Sequence, residues 1–217
     1  MDWQTWVRQS LPRTDYMRGG ATVWTPGMTG LLGDSLGPVM HLHDGASEIF
    51  YFLAGRCRLQ VGDAEEIFEP GDFVLVPPEV PHNVLTASDD DLLVFWLVAP
   101  HFQANQWRTE GFPEGAMQRG IMRGHVAAGA ELPSDDQIES QLLTLADGGG
   151  QTGRTSERQE AVLYLVDGQA EVRVGKLSGR LGPHEFVHVP VDTEYGLDCR
   201  FGPALILLFR LPRGGAV

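Results

Sequence analysis

The sequence predicts an all-β protein made of two tandem copies of one barrel-like domain. Three observations carry that expectation. Short apolar runs recur at regular spacing, and a turn residue closes each one. Glycine (27 residues) and proline (14) are frequent enough to punctuate many short strands. The second half of the chain also falls on the first, without a gap, at an offset of 113 residues.

In chain order, residues 1–36 carry Trp3, Trp6, Tyr16 and Trp24, more aromatic surface than a free tail should expose. This segment is expected to cap a barrel or to pair with one, with a helical stretch near residues 5–9. A first barrel spans 37–100. Its strands are expected at 48–53, 57–61, 73–76 and 92–98, stopped by Ala54-Gly55, Gly62-Asp63, Pro77-Pro78 and Ala99-Pro100. Residues 101–136 form a connector with a candidate helix at 102–107. Residues 137–217 form the second barrel. There Gly55 falls on Gly168, Val61 on Val174, Phe73 on Phe186 and Pro77 on Pro190. Turn glycines and prolines that keep one offset over this length mark a repeat, where a single apolar match would be noise.

Composition excludes several classes of function. Sixteen Lys and Arg face twenty-nine Asp and Glu, a formal charge of −13 that repels phosphate backbones and anionic lipid. No helix-turn-helix pattern accompanies the strands, so neither a nucleic-acid nor a membrane partner is expected. No run reaches the ~18 apolar residues of a membrane helix. The start, Met1-Asp2-Trp3-Gln4-Thr5-Trp6, lacks the basic and apolar regions of a signal peptide, so a cytoplasmic location is expected. Cys57 and Cys199 read as small apolar side chains in strands.

The chemistry concentrates between residues 40 and 82. His41 and His43 lie two apart in Pro38-Val39-Met40-His41-Leu42-His43, so on a strand they share a face, about 7 Å apart. The turn Asp44-Gly45-Ala46-Ser47 folds Glu48 back beside them. His82, after the rigid run Pro77-Pro78-Glu79-Val80-Pro81, arrives from a third strand. Three neutral imidazoles and one carboxylate suit a divalent first-row metal and leave sites open for water or substrate. Alternation puts Phe50 and Phe52 on the face of Glu48, deeper in the barrel. With Met40 and Trp96 they are core filling first and candidate walls of a substrate pocket second.

These residues resemble the cupin superfamily. His41-x-His43, four residues, Glu48, six residues and Gly55 match its first motif, although Ser35 stands where the leading glycine belongs. Gly71, Pro77 and His82 fit the second motif, fifteen residues on, with Glu79 in place of a glycine and Thr86 in place of an asparagine. The resemblance implies two double-stranded β-helix (jelly-roll) barrels. It also implies one divalent transition metal per chain (Fe, Mn, Ni, Zn or Co) held by His41, His43, Glu48 and His82, and makes a homodimer plausible. Similarity to quercetinase-like bicupins implies a dioxygenase acting on a small phenolic or enol-type substrate, with Glu48 as the catalytic carboxylate. A metal-dependent isomerase, lyase or decarboxylase stays open, as does a non-catalytic sensory cupin that binds a small molecule.

The second copy carries no equivalent ligand set. The offset puts Arg154, Ser156, Ala161 and Tyr195 at the four ligand positions. Glu160 is one residue off, on the opposite face. His184 and His188 are expected to be surface or packing residues without a carboxylate partner. His101 and Trp107 fall in the connector, nothing places His125, and Asp89-Asp90-Asp91 reads as a solvated turn.

Overall fold

The structure is a computed structural model that describes residues 7–8, 15–18, 21–24, 40–87, 93–100, 107–127 and 129–212. Three short strands come first: β1 (Val7–Arg8), β2 (Asp15–Arg18) and β3 (Ala21–Trp24). The first barrel follows with β4 (Leu42–His43), β5 (Ser47–Ala54), β6 (Cys57–Val61), β7 (Ala64–Phe68), β8 (Asp72–Val76), β9 (His82–Thr86) and β10 (Leu93–Ala99). The connector adds β11 (Trp107–Arg108), a 3-10 turn at Ala116–Gln118 and β12 (Met122–His125). The second barrel comprises β13 (Glu139–Leu145), β14 (Gly150–Arg154), β15 (Gln159–Asp167), β16 (Ala170–Val174), β17 (Leu177–Leu181), β18 (Phe186–Val189), β19 (Glu194–Asp198) and β20 (Ala204–Pro212). No helix among the described residues is long and apolar enough to cross a membrane.

Each barrel is built on two antiparallel sheets face to face, and the first adds the two-stranded β11-β4. In the first, a six-stranded sheet in the order β12-β8-β5-β10-β3-β2 faces the three-stranded β7-β6-β9. In the second, β1-β18-β15-β20-β13 faces β14-β19-β16-β17. The N-terminal strands thus serve both halves: β3 extends the first barrel at β10, and β1 extends the second at β18.

The two larger sheets pack back to back. Ile49, Tyr51, Phe73, Leu75, Phe95 and Leu97 of the first barrel form one buried cluster with Val162, Tyr164, Phe186, Leu207 and Phe209 of the second. The alternate residues Phe50, Phe52, Val74, Val76 and Trp96 face the first barrel's interior. Strand β5 reads as a continuous apolar run because both of its faces are buried.

The repeat is structural. Moving β6 and β7 on by 113 residues gives β16 and β17 end to end. The turn glycines Gly55 and Gly168 share a left-handed backbone, with φ of 76° and 87°. One expectation is corrected: within 5–9, Val7–Arg8 is a strand that pairs with β18, because long-range pairing overrides so short a local signal. Most of the candidate helix at 102–107 lies outside the described residues, and its last position opens β11.

Candidate metal centre

Local geometry brings the four candidate ligands together. His41 and His82 form an antiparallel bridge, His41 N donating to His82 O at 2.9 Å and His82 N to His41 O at 2.7 Å. His43 ends β4. Gly45, at φ 72°, then reverses the chain so that Glu48, second in β5, returns beside the histidines. The loop before His82 is held to β4 by Glu79 N donating to His43 O at 2.9 Å.

One ligand atom from each of His41, His43, Glu48 and His82 lies within 4.8 Å of all the others. The four residues are 4%, 3%, 1% and 0% exposed. Glu48 Oε2 is 2.6 Å from His82 Nε2 and 3.0 Å from His43 Nε2. His82 Nδ1 donates to Val80 O at 2.9 Å, which orients the ring and turns Nε2 to the cluster. Burial pushes the Glu48 carboxyl up, but the imidazoles of His82 and His43 outweigh it and hold the group well below the ordinary range. Burial likewise disfavours the charged His82, yet Glu48 and the Val80 carbonyl shift it upward overall. Positive charge is therefore what this cluster accommodates, and a divalent ion suits the same donors.

The wall around the cluster is apolar. The Phe50 ring lies 6.0 Å from that of His82, and Phe52 stacks on Phe68 at 5.5 Å. Trp96 pairs across the strands with Phe50, and Met40, next to His41, is half-buried. Burial pushes the Cys57 thiol up to about 12, so with no metal beside it the thiol stays protonated at neutral pH. No Arg or Lys is among the buried residues described.

At the corresponding positions of the second barrel, Arg154 is exposed and pairs with Asp192 at 2.8 Å and Glu194 at 3.1 Å. Ser156 is exposed as well, while Ala161 and Tyr195 are buried. The expectation for His188 is corrected. It has a carboxylate partner, its Nε2 lying 2.6 Å from Glu160 Oε2 with both residues buried. The outer face that carries them packs toward the first barrel, so positions that look solvent-facing along the strand are covered. His184 Nδ1 and the Tyr164 hydroxyl share a hydrogen bond at 3.0 Å. His125 is exposed on β12, with Nδ1 3.0 Å from Asp72 Oδ1. His101 and Asp89-Asp90-Asp91 lie outside the described residues.

Residues 32–98 match a family model described as "Cupin domain". No curated protein matches the chain. Among solved structures, protein Ylba from E. coli is similar at a TM-score of 0.62 and 14% identity, over 97% of this chain and 91% of that one. Oxalate decarboxylase from Bacillus subtilis is similar at 0.57 and 13%, over 97% and 77%. The formate complex of Lactobacillus farciminis oxalate decarboxylase is similar at 0.57 and 13%, over 95% and 86%. These likenesses are of fold.

Proposed function

From the match of residues 32–98 to a cupin-domain model and the likeness in fold to Ylba and oxalate decarboxylase, we propose that this chain is a two-domain cupin and a metal-dependent enzyme of dioxygenase type acting on a small phenolic or enol-type substrate. The observation that carries this reading is the pairing of a three-His, one-Glu cluster with an apolar wall. Held by His41, His43, Glu48 and His82, a divalent ion (Fe, Mn, Ni, Zn or Co) supplies a Lewis acid for a substrate oxygen.

The chain's own residues do the rest. Glu48, the only carboxylate of the cluster, accepts the proton of a phenol or enol. The Val80 carbonyl keeps His82 in one orientation. Phe50, Phe52 and Trp96 pack the apolar part of the substrate and exclude water from its reacting oxygen.

A second reading follows from the oxalate decarboxylases of similar fold, one of which has Mn(II) centres. A small dicarboxylate would bury a second carboxylate here with no buried Arg or Lys among the described residues to meet it, which costs several kcal/mol. The dioxygenase reading is therefore the better one. The test is oxygen uptake by protein loaded separately with each metal, against a panel of phenolics with oxalate alongside. Substrate-dependent uptake with a phenolic supports the proposal. Release of formate and carbon dioxide from oxalate, without uptake on any phenolic, replaces it with the lyase reading. Binding without turnover of either favours a sensory role.

A further inference from the structure

The connector wraps the candidate centre. Strand β11 pairs antiparallel with β4, placing Trp107 opposite His43 and Arg108 opposite Leu42. Arg108 Nη2 donates to Asp44 Oδ1 at 2.5 Å, one residue after His43, while its Nη1 donates to Gly111 O at 3.0 Å. Further along, Arg119 Nη1 donates to Glu79 Oε2 at 2.6 Å, three residues before His82. Between these points the 3-10 turn presses on the end of β6. A Cβ on Gly62 would stand 2.0 Å from Met117 O, and Gly62 N donates to Pro81 O at 2.8 Å. The connector thus grips both chain segments that deliver His43 and His82.

Glu79 carries the second part of the argument. Its φ is 60°, in the left-handed region where a glycine sits without cost. A glutamate there keeps an unfavourable backbone, and what it contributes in return is a carboxylate in reach of Arg119. Strain that the surroundings sustain at a site points toward a role there.

We infer that Arg108 and Arg119 are positioning residues of the metal centre, acting through Asp44 and Glu79 to hold the loops that present His43 and His82. The inference rests on the reading of the cluster as a metal site. The side chains of both ion pairs are 34–41% exposed, so the pairs add little to global stability, and removing them should leave the fold intact. Their effect is on the spacing of donors.

The test uses the full chain and Co(II), whose visible absorption reports the ligand field. Wild type, Arg108→Ala/Arg119→Ala, Glu79→Gly and Arg123→Ala are compared for Co(II) affinity, dissociation rate and spectrum. Arg123, on the same connector, pairs with Glu66 of β7 rather than with a residue of the ligand loops, and serves as the control. The double variant should bind about tenfold more weakly, at the low end of outer-shell effects on metal sites. It should release the ion faster and show an altered spectrum, with partial rescue by Arg119→Lys in place of Arg119→Ala. Glu79→Gly suits the turn but deletes the carboxylate, so it should weaken binding while leaving thermal stability unharmed. A double variant and Glu79→Gly that both match wild type in affinity and spectrum overturn the inference alone. A wild-type chain that takes up no Co(II) overturns the metal reading, and this inference with it.

Discussion

Glu79 and Asp192 stand 113 residues apart, at one position of the two repeats, and both hold a left-handed backbone, at φ 60° and 51°. Each also pairs with an arginine, Glu79 with Arg119 and Asp192 with Arg154. The turn geometry therefore belongs to the repeat and survives where glycine is absent, and each copy has put a carboxylate on it. Because a left-handed conformation costs an ordinary residue about 1–2 kcal/mol, and an exposed ion pair returns less than about 1 kcal/mol, Glu79→Gly should raise the stability of the metal-free protein by roughly 1 kcal/mol. Urea unfolding without added metal checks this. A loss of stability would show that the Arg119 pair outweighs the strain.

Much of this fold can be read from the sequence because the repeat and the turns agree. The candidate cluster can be read because His-x-His, a glycine turn and a returning glutamate define a face without tertiary information. Three features escape such a reading for physical reasons. Alternation from Glu48 turns Phe50 and Phe52 of β5 toward the site, but nothing local says that Ile49 and Tyr51, on the other face, meet a second barrel rather than solvent. The Glu160–His188 pair is buried only because that outer face packs between barrels. Strands β1 and β11 have two residues each, too few for any periodicity, and exist through pairing with β18 and β4.

Metal content should reach one equivalent per chain. The four positions of the second barrel that match the ligands hold Arg154, Ser156, Ala161 and Tyr195, which offer no comparable donor set. Elemental analysis of protein purified without added metal should therefore find up to one ion per chain, and His41→Ala/His82→Ala should remove it. A content near two, or one unaffected by that double change, would contradict the assignment.

The joint between barrels should behave as a core. Phe209 is fully buried, its ring 5.6 Å from that of Phe95 and 6.2 Å from that of Phe73. Truncation to Ala leaves a cavity shared by both barrels and should cost about 3–5 kcal/mol. Since the cluster spans both halves, wild type should unfold in one cooperative transition by both fluorescence and circular dichroism. Two separated transitions would mean that the barrels do not stabilise each other.

His184 should make stability depend on pH. Burial shifts it downward from 6.5 by disfavouring the charged ring, whose Nδ1 lies 3.0 Å from the Tyr164 hydroxyl. With a folded pKa below the unfolded one, the unfolded chain binds more protons once pH falls below about 6.5. The contribution is complete above that pH and is lost as pH drops toward the folded value. His184→Asn tolerates the φ of 66° at this position and cannot titrate. Its stability relative to wild type should therefore rise between pH 7 and pH 5. Parallel pH curves for the two proteins would remove His184 from the account.

Glu48→Gln separates charge from shape at the centre. The carboxylate is buried, and a single oxygen, Oε2, faces both His82 Nε2 at 2.6 Å and His43 Nε2 at 3.0 Å. Glutamine fits the same volume but brings no negative charge to offset a divalent ion, and it cannot take up a proton. Metal affinity should fall, and turnover of whichever phenolic proves active should drop about 10²–10⁴-fold, the range for losing a general base. The two effects are separable, because raising the metal concentration until the variant is loaded restores occupancy and leaves the missing base missing. Turnover measured at full loading, confirmed by elemental analysis of the same sample, is therefore the decisive quantity. If the loaded variant turns over at the wild-type rate, Glu48 serves as a ligand alone, and the proton must leave the substrate by another route.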